Sequence, residues 1–373
     1  MSRVPYGHEV IQLVERLAPK QLAMEGDRIG LQIGTLNKPV RKVMIALDVL
    51  EDVVAEAINQ RVDLIIAHHP PLYRPLKQLL TDDGHGRTIA ACIKHDIAVY
   101  AAHTNLDVAF GGVNDWLAEA LGLSETAVLV PTYTEPLKKL VVYVPASHAE
   151  AVRAALGDAG AGHIGRYSHC TFNSHGIGTF LPEEGAQPFI GEQGKLEEVE
   201  EVRIETIVPA SLERNVIQAM LAAHPYEEVA YDLYPLDNEG RRFGLGRIGR
   251  LPQPVTLRAF AEQVKTAFSV PAVRVVGRLD DLVQTVAVLG GDGNKFVAAA
   301  ASAGADVYVT GDVYYHTAHD AQALGLRLVD PGHNVEKVMK QGLARYLMAE
   351  LRKRQWETDV IASSVHTDPF QFI

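Results

Sequence analysis

At 373 residues, with 47% apolar side chains, the chain is long enough for two or three separate cores. Its 46 acidic residues outweigh 35 basic ones, giving a formal charge of −11 with no Lys/Arg-rich run. That balance argues against a nucleic-acid or membrane-surface footprint and favours small-molecule partners. Only Cys92 and Cys170 are present, outside any paired motif, so neither a disulfide framework nor a thiolate metal site is expected.

The first twenty residues carry charges at Arg3, His8, Glu9, Glu15, Arg16 and Lys20 with helical apolar spacing, unlike the unbroken apolar stretch of a signal peptide. No segment approaches the ~20 apolar residues of a membrane span, and the cytoplasm is the expected compartment. Residues 43–47 then read as a strand, 53–60 as a helix and 63–67 as a second strand. Far downstream the plan recurs, with a strand at 286–289, a helix at 295–303 and a strand at 306–309. A third strand follows in each copy, 97–101 leading to His103 and 326–329 leading to His333. Short apolar strands alternating with helices predict a duplicated α/β core with parallel-rich sheets, its halves at residues 1–130 and 240–373.

Between the halves, residues 138–236 follow a different order. Strand 139–144, helix 146–158, strands 167–181 and 202–208, helix 212–223 and strand 229–236 make a βαββαβ series. This predicts an inserted ferredoxin-like α+β domain, an antiparallel sheet with both helices on one face. Pro131, Pro136 and the turn 237–240 mark its boundaries. His163, His169, His175 and His224 within it fit no compact ligand spacing and read as surface or hydrogen-bonded histidines.

Three constellations carry chemistry. His68-His69-Pro70-Pro71 closes the strand 64–67, and two neighbouring imidazoles can address one site only where a strand ends and the chain turns. His103-Thr-Asn-Leu-Asp107 sets an imidazole and a carboxylate four residues apart, a donor set suited to a divalent ion, although Asp107 could instead orient His103. Asp330-Pro-Gly-His333-Asn-Val-Glu336 precedes a helix, with Asn334 as the expected N-cap and Glu336 in the first turn, where a carboxylate can also serve only as a cap.

All three segments come at the carboxyl ends of predicted parallel strands, the rim where open α/β sheets place their ligand sites. In the internal repeat His68 and His69 match Gly311 and Asp312, while His103 matches His333. More donors than one ion needs converge there, which predicts two divalent ions bridged by a Glu. His316 and His319, three apart on the predicted helix 314–324, are further acid–base candidates or capping residues. Gly290-Gly-Asp-Gly293 resembles an anion-cradling turn without the Lys-Ser/Thr ending of a P-loop.

Taken together, His68-His69-Pro70, His103-Thr-Asn-Leu-Asp107, Thr310-Gly-Asp312 with His316 and His319, and Asp330-Pro-Gly-His333 with Glu336 resemble the NIF-three-like family, also called GTP cyclohydrolase 1 type 2. The resemblance spans essentially the whole chain. It implies His68, His69, Asp107, His333 and Glu336 as metal ligands, Glu336 bridging, and His103 close by but not ligating. It also implies a ring-shaped homohexamer, and for the middle domain a PII- or CutA-like insertion, carried by Gly162-His-Ile-Gly165 and His224-Pro-Tyr-Glu-Glu228. Many relatives have Trp-Asp-Asn-Gly-Leu near the start, where this chain has Glu25-Gly-Asp27-Arg-Ile-Gly30-Leu31.

The expected function is a metal-dependent hydrolase acting on a nucleotide. By the family's name the reaction is hydrolytic opening of the GTP purine ring with loss of formate, and a phosphoester hydrolase uses the same metals. Zinc is the first choice of ion, with iron, manganese and cobalt suited to the same donors. The alternative expectation is a non-enzymatic metal-binding regulatory or scaffold protein whose inserted domain senses a small ligand or partner.

Overall fold

A computed structural model describes residues 3–373. The chain divides into two compact units, residues 1–133 with 243–373 and residues 134–242.

The first half of the discontinuous unit opens with α1 (Gly7–Leu17) and β1 (Gly30–Ile33), then alternates β2 (Lys42–Ala46), α2 (Glu51–Asn59), β3 (Leu64–Ala67), α3 (Gly84–Lys94) and β4 (Ala98–Ala101). Two helices, α4 (Thr104–Val108) and α5 (Val113–Ala120), lead into β5 (Ser124–Thr134). β2, β3 and β4 pair in parallel, Val43 beside Leu64 and Leu64 beside Ala98. Every residue of β3 and β4 is buried, because one face packs Met44, Ile65 and Val99 under α2 and α3 while the other sends Ile45, Ile66 and Tyr100 into the main core. Cys92 is among the residues buried under the first face, whereas Cys170 is only half-buried.

The second unit contains β6 (Leu137–Pro145), α6 (Ala149–Asp158), β7 (Thr171–Phe180), β8 (Glu197–Pro209), α7 (Glu213–Ala223) and β9 (Tyr231–Leu236). Its four strands lie in the order β7-β8-β6-β9, and the pairs β7/β8, β8/β6 and β6/β9 are all antiparallel. This is the strand order of a ferredoxin-like βαββαβ unit. Alternation along the strands sends Leu140, Val142, Val144, Val202 and Ile204 to one face, where Val152, Leu156, Val216 and Met220 of the helices close the core.

The second half of the first unit runs β10 (Arg242–Thr256), α8 (Leu257–Ala267), β11 (Arg274–Val276), β12 (Leu282–Asp292), α9 (Val297–Ser302), β13 (Val307–Gly311), α10 (Tyr315–Ala323), β14 (Arg327–Asp330), α11 (Val338–Lys353) and β15 (Asp359–Ala362). β12, β13 and β14 are parallel, the counterparts of β2, β3 and β4. They belong to a six-stranded sheet, β11-β14-β13-β12-β10-β5, with β11 antiparallel to β14 and β10 antiparallel to β12. The last strand crosses back: β15 joins the five-stranded sheet β1-β4-β3-β2-β15 in parallel with β2. The duplicated α/β architecture expected from the repeat is therefore present, with the antiparallel edges and the return of β15 added by the structure.

The two halves share one core, in which Val43, Leu64 and Tyr100 cluster with Val286, Val307, Val309, Leu343 and Leu347. Arg247 of β10 is buried in it with its guanidinium satisfied, by both carboxylate oxygens of Asp115 and the carbonyls of Gly244, Gly246 and Ala109. A buried charge is tolerable only with such a full complement of acceptors. Among the described residues, no helix is long and apolar enough to cross a membrane.

Candidate metal centre

β3 ends at Ala67, yet the ladder continues through the two histidines, with His68 N–H donating to Ala46 O at 3.1 Å and His69 N–H to Leu47 O at 2.9 Å. Both imidazoles thus leave a fixed backbone at the carboxyl edge of the sheet. His68 is fully buried, and its Nδ1 meets Ala102 O at 2.9 Å, which turns Nε2 toward Asp107 Oδ1 at 3.5 Å and Glu336 Oε2 at 3.7 Å. Asp107 lies in the short helix α4, held where Asn114 Nδ2 donates to its carbonyl at 3.0 Å.

Glu336 comes from the other half of the chain. Its Oε2 stands 3.1 Å from His69 Nε2 and 3.2 Å from His333 Nε2 as well as facing His68. One carboxylate oxygen is therefore shared among three imidazoles. The segment His333–Lys337 is a 3₁₀ turn and the α-helix begins at Val338, so Asn334 makes no side-chain cap and Glu336 precedes the helix. Buried against β12, this turn can bring Glu336 inward because Gly290 and Gly291 leave the space. A Cβ on Gly291 would lie 2.8 Å from Glu336 Oε1 and 3.3 Å from His333 Nε2, and its φ of +66° favours glycine. The Gly290–Gly293 run thus ends a strand and seats a carboxylate.

Three of the four histidines carry an aspartate on Nδ1. Asp48 Oδ1 meets His69 at 2.6 Å, Asp312 Oδ2 meets His333 at 2.7 Å, and Asp27 Oδ1 meets His103 at 2.8 Å. Asp27 is itself fixed by the backbone N–H and hydroxyl of Thr104, and Asp48 accepts from the hydroxyl of Thr367. Asp312 adopts a left-handed backbone at φ +56°, a strained conformation that aspartate tolerates better than most residues. Each carboxylate fixes a tautomer and aims Nε2 away from itself.

The electrostatics follow from this crowding. Burial opposes the charge on His69, but hydrogen bonds to Asp48 and Glu336 outweigh it and raise its pKa to about 10. The hydrogen bond to Glu336 outweighs burial at His333 and raises it to about 9. Burial lifts Asp107 to about 6. Burial works against ionisation of Glu336 too, yet the charge of His68 and the hydrogen bonds from His333 and His69 hold it well below the usual carboxylate range.

Donor atoms gather in three overlapping sets, His68/Asp107/Glu336, His69/His333/Glu336 and His68/His69/His103, each with its atoms within 4.8 Å of one another. His68 Nε2 and Asp107 Oδ1 are buried with no hydrogen-bond partner. Orphaned atoms of this kind are costly unless something fills the space between them, and the imidazole–carboxylate chemistry is that of a divalent ion of borderline hardness. The residues present therefore fit such an ion.

All five residues that the family resemblance singles out come together, with His103 beside them. His316 and His319 do not join them: they are exposed on α10, edge-on to Tyr315 at ring distances of 5.4 and 4.8 Å. His224 is buried and hydrogen-bonded at both nitrogens, to Tyr143 O and from Tyr226 N–H, so it supports the fold of the second unit. Sequence reasoning passed over Asp48. It ends the segment after β2 just as His68 follows β3, so the strand-end rule that located the histidines could have found it.

A duplicated α/β core that gathers buried imidazoles and carboxylates from both copies at its strand ends defines an α/β protein able to hold metal ions. The chain belongs to the Duf34/NIF3 (NGG1p interacting factor 3) family, whose model matches residues 5–369. It is 60% identical over 373 residues to the Bacillus subtilis (strain 168) protein called GTP cyclohydrolase 1 type 2 homolog, covering 100% of each chain. Among solved structures, a Bacillus cereus protein related to NIF3 superposes with a TM-score of 0.95 at 63% identity, 100% of both chains covered. A Staphylococcus aureus protein gives 0.77 at 32% identity, with 99% of both covered.

Proposed function

We propose that the chain is a metal-dependent hydrolase acting on a nucleotide, with His68, His69, Asp107, His333 and Glu336 as ligands of two divalent cations and Glu336 bridging them. The observation that carries this reading is the pair of partnerless buried atoms, His68 Nε2 and Asp107 Oδ1, facing the one carboxylate that three imidazoles share. Zinc is the first choice of metal, and iron, manganese and cobalt accept the same donors. Bound ions would supply Lewis-acid polarisation of a substrate oxygen and a lowered pKa for water.

The protein's own part is orientation. Ala102 O, Asp48 and Asp312 set which ring nitrogen each ligand histidine presents, and the burial of His68, Asp107 and Glu336 strengthens the charge interactions among those three. The name carried by the relatives makes GTP the first substrate to test, the expected chemistry being hydrolytic opening of the purine ring with loss of formate. A homohexamer in the cytoplasm completes the proposal, and light scattering on the purified chain tests the assembly.

Metal-loaded protein assayed against GTP and a panel of phosphoesters should turn over at least one of them above a metal-free control. No turnover with any, by protein that holds its full complement of metal, would overturn the enzymatic reading in favour of a regulatory or scaffold role. Separately, His69→Ala and Glu336→Ala should each lose more than about half of the bound metal by elemental analysis; retention in both would remove the ligand assignment.

A further inference from the structure

The second unit contains a cavity of about 640 Å³ on the sheet face opposite its helices. That volume matches sites that enclose small organic molecules. The register explains why it exists. Gly176 of β7 stands opposite Glu201 of β8, and Ser174 opposite Arg203, so Glu201 and Arg203 share this face with a stretch of strand, Ser174 to Gly178, that offers almost no side chain. A Cβ on Gly176 would meet nothing within 4 Å, and one on Gly178 would run into the carboxylate of Glu201. Bare backbone therefore forms the floor.

The walls are aromatic. Tyr226 meets Phe180 edge-on at 5.9 Å and lies 6.5 Å from Phe189, while Tyr143 lines the cavity from β6. The segment after β7 that carries Phe189 is tied down by Gln187 N–H donating to Glu227 at 2.8 Å and Gly194 N–H to Pro182 O at 2.8 Å. This segment reaches over the sheet face and walls one side of the cavity, Phe189 itself remaining about half-exposed.

The polar groups are unequal in what they have left to offer. Arg203 is already paired with Glu205 on its own strand. Glu201 accepts one hydrogen bond, from the Tyr226 hydroxyl at 3.0 Å, and a carboxylate has several lone pairs more. Glu183, Glu227 and Glu228 add further carboxylates to the lining, against Arg203 as its sole Lys or Arg. The unspent capacity is for accepting protons and facing cations, and aromatic faces add attraction for positive charge.

We propose that this cavity binds a small amphipathic amine, its ammonium group on Glu201 and its apolar body between Tyr143, Phe180, Phe189 and Tyr226. The cavity uses no residue of the metal centre, so the proposal stands whether or not the hydrolase reading does.

Calorimetric titration of the full-length protein with tryptamine as the probe, and with indole-3-ethanol as its neutral counterpart, tests the assignment. Saturable binding of one amine per chain is expected, with the alcohol and the Glu201→Gln variant each weakening it by about 10–100-fold, the worth of a charge-assisted hydrogen bond. Gly176→Leu, which fills the floor while leaving Glu201 in place, should abolish binding. Folding of both variants is checked by unchanged metal content and circular dichroism; a Glu201→Gln that fails this check is replaced by Glu201→Ala, and a failing Gly176→Leu by Gly176→Val, each expected to act in the same direction. The proposal falls if tryptamine shows no saturable binding, if the alcohol binds as well as the amine, or if Gly176→Leu alters the oligomeric state and leaves amine affinity intact, which would make the cavity part of a contact between copies.

Discussion

Asp48, Asp312 and Asp27 each sit on the Nδ1 of a histidine whose other nitrogen faces the cluster. Replacing Asp48 or Asp312 by Asn keeps the shape but exchanges a charged acceptor for a neutral amide that can present either its oxygen or its NH2 to Nδ1, so the tautomer is less firmly fixed and metal affinity should fall by about 10–100-fold with no ligand removed. Competition with a chromophoric chelator measures this; affinities within about twofold of the parent would show that the aspartates do not orient the ligands. The same contacts set a pH dependence. The folded-state pKa values of His69 and His333, about 10 and about 9, lie above the ordinary imidazole value of about 6.5. Their contribution to the stability of the metal-free protein is therefore complete below about pH 6.5 and lost as pH rises through 9 to 10. Metal binding should run the other way. A ligating imidazole must be neutral, so near neutral pH binding releases protons and tightens as pH rises, visible as a dependence of calorimetric enthalpy on the buffer's ionisation heat.

At the scale of elements, the parallel repeats β2-α2-β3 and β12-α9-β13 were legible in the sequence because strands buried on both faces are continuously apolar. The strand-end rule then located His68, His69, Asp107 and His333, since it depends only on where an apolar run stops. Less was legible where a residue's environment is made by distant chain. β1, β11 and β15 are short edge strands with partners far away in sequence, and nothing local distinguishes them from loops. Glu336, expected as the bridging ligand from the family resemblance, could be read from its own surroundings as a helix cap just as well, because the two-glycine recess that receives it lies more than forty residues upstream. That recess makes a prediction of its own. Gly291→Ala should strain the backbone at φ +66° and push on Glu336 and His333 together, lowering metal affinity although it touches no donor atom. Metal titration of this variant, with Gly304→Ala as a control at another left-handed glycine where a Cβ has open space, separates the two effects.

The whole chain is a duplicated core interrupted once. The interruption begins and ends at one place: Glu135 N–H donates to Arg241 O at 2.9 Å, and β5 and β10, which lead into and out of it, are neighbours in the six-stranded sheet. Replacing residues 136–240 by a short Gly-rich turn should therefore leave the metal content of the core unchanged by elemental analysis, and loss of metal from a folded, excised chain would count against that independence.

The return of β15 to the side of β2 has a temporal meaning. Residues 359–362, followed by Thr367 with its hydroxyl on Asp48, are made more than two hundred residues after the rest of the sheet they complete, which is built from residues 30–101. Until those residues emerge, the growing polypeptide must carry β2 as an edge without its outer partner, and the assembly of this sheet waits for chain made long after its other strands.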